Sequence, residues 1–356
     1  MTTAPKVGII TFHDTPNYGA TLQCYALSRY LASLGAEVEV INYSPPYTTL
    51  QYAKSLFLGR RRGLGNLTRV SLFLRFIAER LHLSGPSIRR REALRTLANR
   101  YDLAVTGSDE VWKVDHMRRF DPSFYLDFCD PRTTRIISYA ASASMVTDLT
   151  QRAADVQPLL MRFSAIAVRD PETGGQVEAL TGVTPELVVD PTLLWDWSLE
   201  DLPPMRPAGY VAVYSWLNDS EFAVLRRAAD ARGLAVVCVG CRHRLADENR
   251  LGVGPTEWLR LLKHADLVVT NFFHGVVFTL LFGRPLYAHV DGAKRRKLER
   301  ILTLAGKPQP LHDGLDAIEV AGADWSYDTA RVTAALTPLV TVSKTWLQSQ
   351  IAAVRA

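Results

Sequence analysis

Cysteine is scarce. The chain of 356 residues holds four, Cys24, Cys129, Cys238 and Cys241. That excludes a disulfide scaffold and agrees with a reducing compartment. Cys238 and Cys241 have C-x-x-C spacing, but no second ligand pair and no thioredoxin-like context accompanies them. Cys238 sits in the apolar run from Leu234 to Val239 and reads as a buried strand residue. No apolar run approaches the roughly 18 residues of a membrane span. The first residues, MTTAPKVGIITF, have no charged and apolar leader pattern and run straight into a strand pattern. The expected location is the cytoplasm, at most peripheral to the inner face of the membrane. Repeats and low-complexity tracts are missing. So are a G-x-G-x-x-G fingerprint, a Walker loop and a G-x-S-x-G elbow. No His, Cys and carboxylate set has metal-ligand spacing, so neither a metal nor a cofactor is expected.

What is present is an ordinary globular composition, 47% hydrophobic and 22% charged. The length suits two domains. Net charge is +5 and unevenly spread. From Lys54 to Arg100 there are twelve Lys and Arg but only two acids, Glu79 and Glu92. Arg60-Arg61-Arg62 and Arg89-Arg90-Arg91 are the densest points. Between them Leu67, Val70, Leu72, Phe73, Leu74, Phe76, Ile77 and Leu81 suggest the apolar side of an amphipathic helix. The segment is either a solvated face or a patch for an anionic partner, such as lipid head groups or a diphosphate. Its few aromatics, Phe57, Phe73 and Phe76, argue against stacking on single-stranded nucleic acid.

Along the chain, strand and helix patterns alternate. Lys6–Phe12 is β-rich, and helical spacing follows from Leu22 to Leu34. Val38–Asn42 completes a βαβ unit. After the basic insertion, about 51–101, strand patterns resume at 103–106, 135–139, 165–168 and 187–189. Three prolines and a glycine between Leu202 and Gly209 mark a linker. The alternation then restarts, and a long helix closes the chain. The expected organisation is α/β, with two doubly wound Rossmann-like domains, 1–201 and 209–327, facing a cleft. A C-terminal helix, 328–356, packs back on the first domain. Ligands in such folds bind beyond the carboxyl ends of the strands.

Four loops after strands can carry chemistry. The first holds His13, Asn17 and Gly19 before a helix N-terminus, where backbone N–H groups favour an anion. The second, Gly107-Ser108-Asp109-Glu110, reads either as a helix start capped by Ser108 or Asp109, or as a ligand contact. In the third, Arg169 suits bidentate binding of a carboxylate or phosphate; a surface ion pair with Asp170 is the alternative. The fourth runs from Asn271 through Phe272 and Phe273 to His274 and Gly275. It delivers His274 onto a new helix, where an imidazole can exchange protons near neutral pH. Lys294 follows at the next strand's end. A core histidine is the alternative for His274.

Taken together, these loops resemble the polysaccharide pyruvyl transferase family over nearly the whole chain. The carriers are Asn17-Tyr18-Gly19-Ala20-Thr21-Leu22-Gln23-Cys24-Tyr25-Ala26-Leu27, Tyr101-Asp102 with Gly107-Ser108-Asp109-Glu110-Val111-Trp112, Ala167-Val168-Arg169-Asp170, Asp190-Pro191-Thr192-Leu193-Leu194, and Phe273-His274-Gly275. Members look like two-domain proteins similar to the GT-B glycosyltransferases. They move a pyruvyl group from phosphoenolpyruvate to sugar hydroxyls, usually as a cyclic ketal. The resemblance implies that His274 is the acid/base residue and that Arg169 and Lys294 hold the donor. Members commonly have Ser-Phe-His-Gly; here Phe272 stands in place of the serine.

Phosphoenolpyruvate is the expected donor substrate. Its carboxylate and phosphate call for cations and aligned N–H donors, which Arg169, Lys294 and the helix start at His274 supply. His13, Asn17, Gly19, Ser108, Asp109, Asn271 and Gly275 complete the expected substrate-binding set. The acceptor is a sugar or glycan, lipid-linked if the basic segment meets an anionic membrane; nucleic acid is not expected. Two other readings stay open. One is a nucleotide-sugar glycosyltransferase, with Glu299 as its sole nucleotide-binding candidate. The other is a non-catalytic anion-binding module.

Overall fold

The computed structural model describes residues 4–47, 64–114, 119–144, 147–290, 295–319 and 323–355. The chain forms two compact units. Unit 1 comprises Met1–Ser55, Ile77–Asp196 and Leu339–Ala356; unit 2 comprises Leu56–Phe76 and Trp197–Pro338.

Unit 1 is built on β1 (Lys6–Ile10), β2 (Glu37–Val40), β3 (Leu103–Thr106), β4 (Arg135–Ala141), β5 (Ala165–Val168) and β6 (Glu186–Leu187). They form one parallel sheet in the order β2-β1-β3-β4-β5-β6. β3 is buried along its whole length, and β1 from Val7 on. That is why both read as continuous apolar runs rather than alternating ones. The helices are α1 (Tyr18–Ser33), α3 (Ala153–Leu160) and α4 (Pro171–Thr181), with the end of α2 (Leu64–Arg80), whose residues up to Phe76 belong to unit 2. The chain leaves β1 toward β2 and later returns to place β3 on β1's other side. The β1/β3 pair is therefore the switch point, where the two following loops part and leave a crevice.

Unit 2 repeats the plan with β7 (Tyr210–Tyr214), β8 (Ala235–Val239), β9 (Glu248–Arg250), β10 (Leu267–Thr270), β11 (Leu286–His289) and β12 (Leu311–His312). The order is β12-β11-β10-β7-β8-β9, again parallel. Its helices are α5 (Asp219–Asp230), α6 (Pro255–Lys263), α7 (Phe273–Leu281) and α8 (Arg295–Leu304). The switch point lies between β7 and β10. Register there aligns Tyr214, Thr270 and Ala288 across β7, β10 and β11. Ser215, Asn271 and His289 are thus the next row, at the carboxyl edge. The expectation of two doubly wound α/β sheets holds.

The last helix, α9 (Thr329–Ala352), gives its residues from Leu339 on to unit 1. There Trp346 lies against Tyr139 with ring centroids 6.2 Å apart. Ser343 Oγ accepts the Val189 N–H at 3.0 Å, and Arg135 donates to Gln350 Oε1 at 2.8 Å. This is the expected packing of the C-terminal helix on the first domain.

The basic segment departs from expectation in its faces. On α2 the buried stripe is Asn66, Arg69, Phe73, Phe76 and Ile77, whereas Leu67 and Leu74 are 60% and 55% exposed. The reason is helical angle: Leu67 and Leu74 fall one position past the buried residues 66 and 73, about 100° around the helix. Arg69 is buried with its guanidinium 5.5 Å from the Phe73 ring centroid. Arg91 pairs with Asp127, and Arg100 with Glu39 at 2.6 Å, while Arg89 and Arg90 are exposed. Arg60-Arg61-Arg62 lies outside the described residues. Among the described residues, no helix is long and apolar enough to cross a membrane.

Candidate functional site

At unit 1's switch point, polar side chains are buried and largely satisfied by one another. Thr11 Oγ1 donates to the Ser108 carbonyl at 2.7 Å, and Gln23 Nε2 donates to Thr11 Oγ1 at 3.0 Å. Gly107 sits close where these loops meet: a Cβ there would press to 3.0 Å from Thr11 Cβ, and the neighbours would have to give. His13 is fully buried; its ring nitrogens lie 3.2 Å from the Thr11 carbonyl oxygen and 3.2 Å from Asn42 Oδ1. Three buried oxygens here, Thr15 Oγ1, Gln23 Oε1 and Ser108 Oγ, make no hydrogen bond among the described residues.

Of these two loops, one opens a helix as expected and the other does not. At the N-terminus of α1, two of the first amides are taken up by the chain's own cap. Asn17 is the N-cap, and its Oδ1 accepts from Gly19 N at 3.0 Å and Ala20 N at 3.4 Å. Asn17 and Gly19 thereby serve each other. The Ser108-Asp109 loop starts no helix. Asp109 turns the chain at φ 84°, in the left-handed region. Its Oδ1 accepts the next N–H, Glu110, at 2.8 Å, and it bridges to Ala141. A non-glycine residue in that region costs about 1–3 kcal/mol and persists only where its surroundings hold it.

For Arg169 the alternative, a surface pair with Asp170, is what the structure overturns. It pairs not with Asp170 but with Asp190, at 2.9 Å, with both side chains buried. Asp170 instead caps α4, accepting from Thr173 N at 2.8 Å. Burial opposes the Arg169 charge. Asp190, then Asp109 and Glu110, outweigh it and hold the guanidinium above its ordinary value. Asp190 Oδ1 also accepts from the Thr192 hydroxyl at 2.7 Å.

Unit 2's switch point is arranged differently. β10 ends at Thr270, and Asn271 follows, 1% exposed. The Trp216 N–H, one position past the β7 row, donates to Asn271 Oδ1 at 3.4 Å. That leaves Nδ2 as a buried donor with no hydrogen bond among the described residues. Phe272 is the N-cap of α7 and offers its helix no side-chain acceptor. The first amides of a helix have no intrahelical partner, so the positive end of the α7 dipole faces this edge. Phe272 packs instead on Tyr214 and Trp216, with centroids 4.7 and 5.9 Å away.

His274 stands in the first turn of α7, half-buried, edge-on to Phe273 at 5.1 Å. Gly275 must be glycine, because a Cβ there would collide with Thr270 Oγ1. Lys294 lies outside the described residues. Lys297, in the first turn of α8, holds its ammonium 5.1 Å from the Phe273 ring centroid. It brings a cation to the same helix start. Sequence reasoning missed Lys297; its period from Lys294 along a helix was the available signal. It also missed the row partners. Ser215 Oγ and His289 Nε2 are 2.7 Å apart, both buried, on strands flanking β10. Their place at two strand ends was the signal, and an apolar setting masked it.

Asn271, His274, Gly275 and Lys297 are thus brought together in unit 2, whereas His13, Asn17, Gly19, Ser108, Asp109 and Arg169 belong to unit 1. Among the described residues, no group of three or more His, Cys, Asp or Glu is placed to hold a metal.

No curated protein sequence matches the chain. Among solved structures it is similar to the glycosyltransferase SnogD from Streptomyces nogalater, at 17% identity and a TM-score of 0.48, covering 99% of this chain and 100% of that one. It is also similar to a UDP-N-acetylglucosamine 2-epimerase from Rickettsia bellii, at 10% identity and a TM-score of 0.48, covering 99% and 96%. The family model for polysaccharide pyruvyl transferases matches residues 17–288, which takes in both switch points, Arg169 and His274, and the chain belongs to that family.

Proposed function

We propose that this chain transfers a pyruvyl group from phosphoenolpyruvate to hydroxyls of a sugar or glycan, with His274 as the acid/base. The observation that carries the reading is the unit 2 switch point. A buried Asn271 donor, the start of α7 without a side-chain cap and a Lys297 ammonium against the first ring of α7 give one strand end the donors and positive charge that a small polyanion needs. The first imidazole beside them is His274.

The chemistry follows from the donor's structure. His274, protonated, delivers its proton to the methylene carbon, and C2 becomes electrophilic. An acceptor hydroxyl forms a bond to C2 and yields its proton to the now neutral imidazole. The C2–O bond to phosphate breaks, and phosphate leaves. A second hydroxyl then adds to C2, passes its proton to the departing phosphate and closes the ketal.

Donor protection tests the reading. Phosphoenolpyruvate at a hundred times its dissociation constant should stabilise the protein by about 2.7 kcal/mol, while UDP-sugars leave the melting temperature unchanged. His274→Gln should keep that protection and lose about 10²–10⁴-fold in phosphate release with a glycan acceptor, because an acid/base acts in the transition state. Protection by UDP-sugars alone would instead support a glycosyltransferase, and full turnover by His274→Gln would remove this histidine from the mechanism.

A further inference from the structure

The C-x-x-C pair is left unused by the reaction above, and its surroundings are specific. Cys238 is fully buried near the end of β8, in register with Val213 of β7. Gly240, at φ 70°, turns the chain straight after the strand. That turn returns Cys241 over the strand end, where its sulfur lies 3.6 Å from the Val213 carbonyl oxygen. Both cysteines pack in one apolar cluster and line one small cavity with Trp216, Phe222, Arg242 and His243. The neighbouring Cys241 thiol, together with burial, raises the Cys238 pKa. Cys241 is only partly buried and is followed by Arg242 and His243. His243 stacks on Phe222 at 3.7 Å and meets Asp219 at 2.9 Å, so its Nε2 is turned away from metal duty beside the sulfurs.

We propose that Cys238 and Cys241 form an intramolecular disulfide when the protein meets a peroxide, which makes this strand end a thiol-modification site. Cys241, the accessible thiol, attacks hydrogen peroxide as its thiolate. An S–O bond forms, the O–O bond breaks, and a sulfenic acid and one water result. The Cys238 sulfur then attacks the Cys241 sulfur, the S–O bond breaks, and a second water leaves. The two thiols lose two protons and two electrons, and the peroxide takes up both.

Unit 1 supplies an internal control. Cys24 and Cys129 are buried thiols; burial raises both, Cys129 to about 12. Such thiols are inert to oxidants. The test is hydrogen peroxide on the native full-length protein, followed by alkylation and peptide mass spectrometry. The expected result is a loss of about 2 Da, one for each thiol hydrogen removed, on a peptide linking Cys238 to Cys241. A dithiol should reverse it. Cys238→Ser should leave Cys241 as an over-oxidised acid, and Cys241→Ser should abolish the reaction. Four alkylatable thiols after treatment would overturn the proposal. So would oxidation spread equally to Cys24 and Cys129, cross-linked dimers, or stoichiometric zinc that shields the pair.

Discussion

The two units share one plan and differ in what they leave open at the switch point. Each has a six-stranded parallel sheet that departs both ways from a central pair of strands. Unit 1 spends its cap on itself: Asn17 closes the start of α1, and Arg169 is held by Asp190. Unit 2 places an aromatic where a cap belongs and leaves a buried amide donor beside it. Among the described residues at the two switch points, unit 1 leaves the oxygens of Thr15, Gln23 and Ser108 without a hydrogen bond, and unit 2 leaves the Asn271 Nδ2 donor. A fold of this class thus repeats one frame, and single residues at the helix starts decide which polar groups each copy leaves exposed or satisfied.

The comparison breaks first at the buried ion pair. Asp190→Ala strands the Arg169 charge, and removing one partner of a buried pair costs about 3–5 kcal/mol. Chemical denaturation should show this loss in the protein's stability. An Asp190→Ala variant as stable as the parent would mean that Arg169 is free to serve a ligand. A smaller effect sharpens the contrast between helix starts. Asn17→Ala should cost about 1 kcal/mol, as lost caps do, whereas Phe272→Ala removes no cap and should act only through its ring contacts. Equal proton-exchange protection of the α1 and α7 amides in the parent would contradict the difference.

The smallest effect concerns acid. His312 in unit 2 lies flat on Tyr287 at 4.5 Å and edge-on to Trp325 at 5.4 Å. Burial lowers its pKa below the ordinary 6.5. The unfolded chain therefore binds that proton more readily, and the stability this site contributes is present above pH 6.5 and lost as pH falls through the depressed value. His312→Phe should flatten the melting-temperature profile between pH 7 and 5, read by calorimetry; an unchanged slope would place the acid sensitivity elsewhere.

Much of the fold was legible because parallel strands are buried on both faces. β1, β3, β7, β8 and β10 stand out as apolar runs, and α4, α5 and α6 carry Pro or Asn at their starts. β9 and β12 were not legible. Glu248–Arg250 and Leu311–His312 are short edge strands, and their sequences carry no apolar periodicity. At the site, the Phe272–Gly275 turn was visible as a strand running into a helix. The partner of Arg169 was not, because Asp190 stands twenty-one residues away on another loop. Of the two readings of Asp109, the helix cap fails: an Asp before a turn reads as a cap, while the backbone there takes φ 84° and feeds no helix.

The last helix has a consequence for synthesis. Unit 1 includes Leu339–Ala356, and between Asp196 and Leu339 the ribosome makes the main part of unit 2, Trp197–Pro338. About 140 residues pass before unit 1 receives its final element, roughly 10–30 s at ordinary elongation rates. During that wait the Val189 amide lacks Ser343, the Leu34 carbonyl lacks Arg355, and Tyr139 lacks the Trp346 ring. The domain that starts first on the ribosome is finished last, so the nascent chain reaches unit 2 with unit 1 still unsealed.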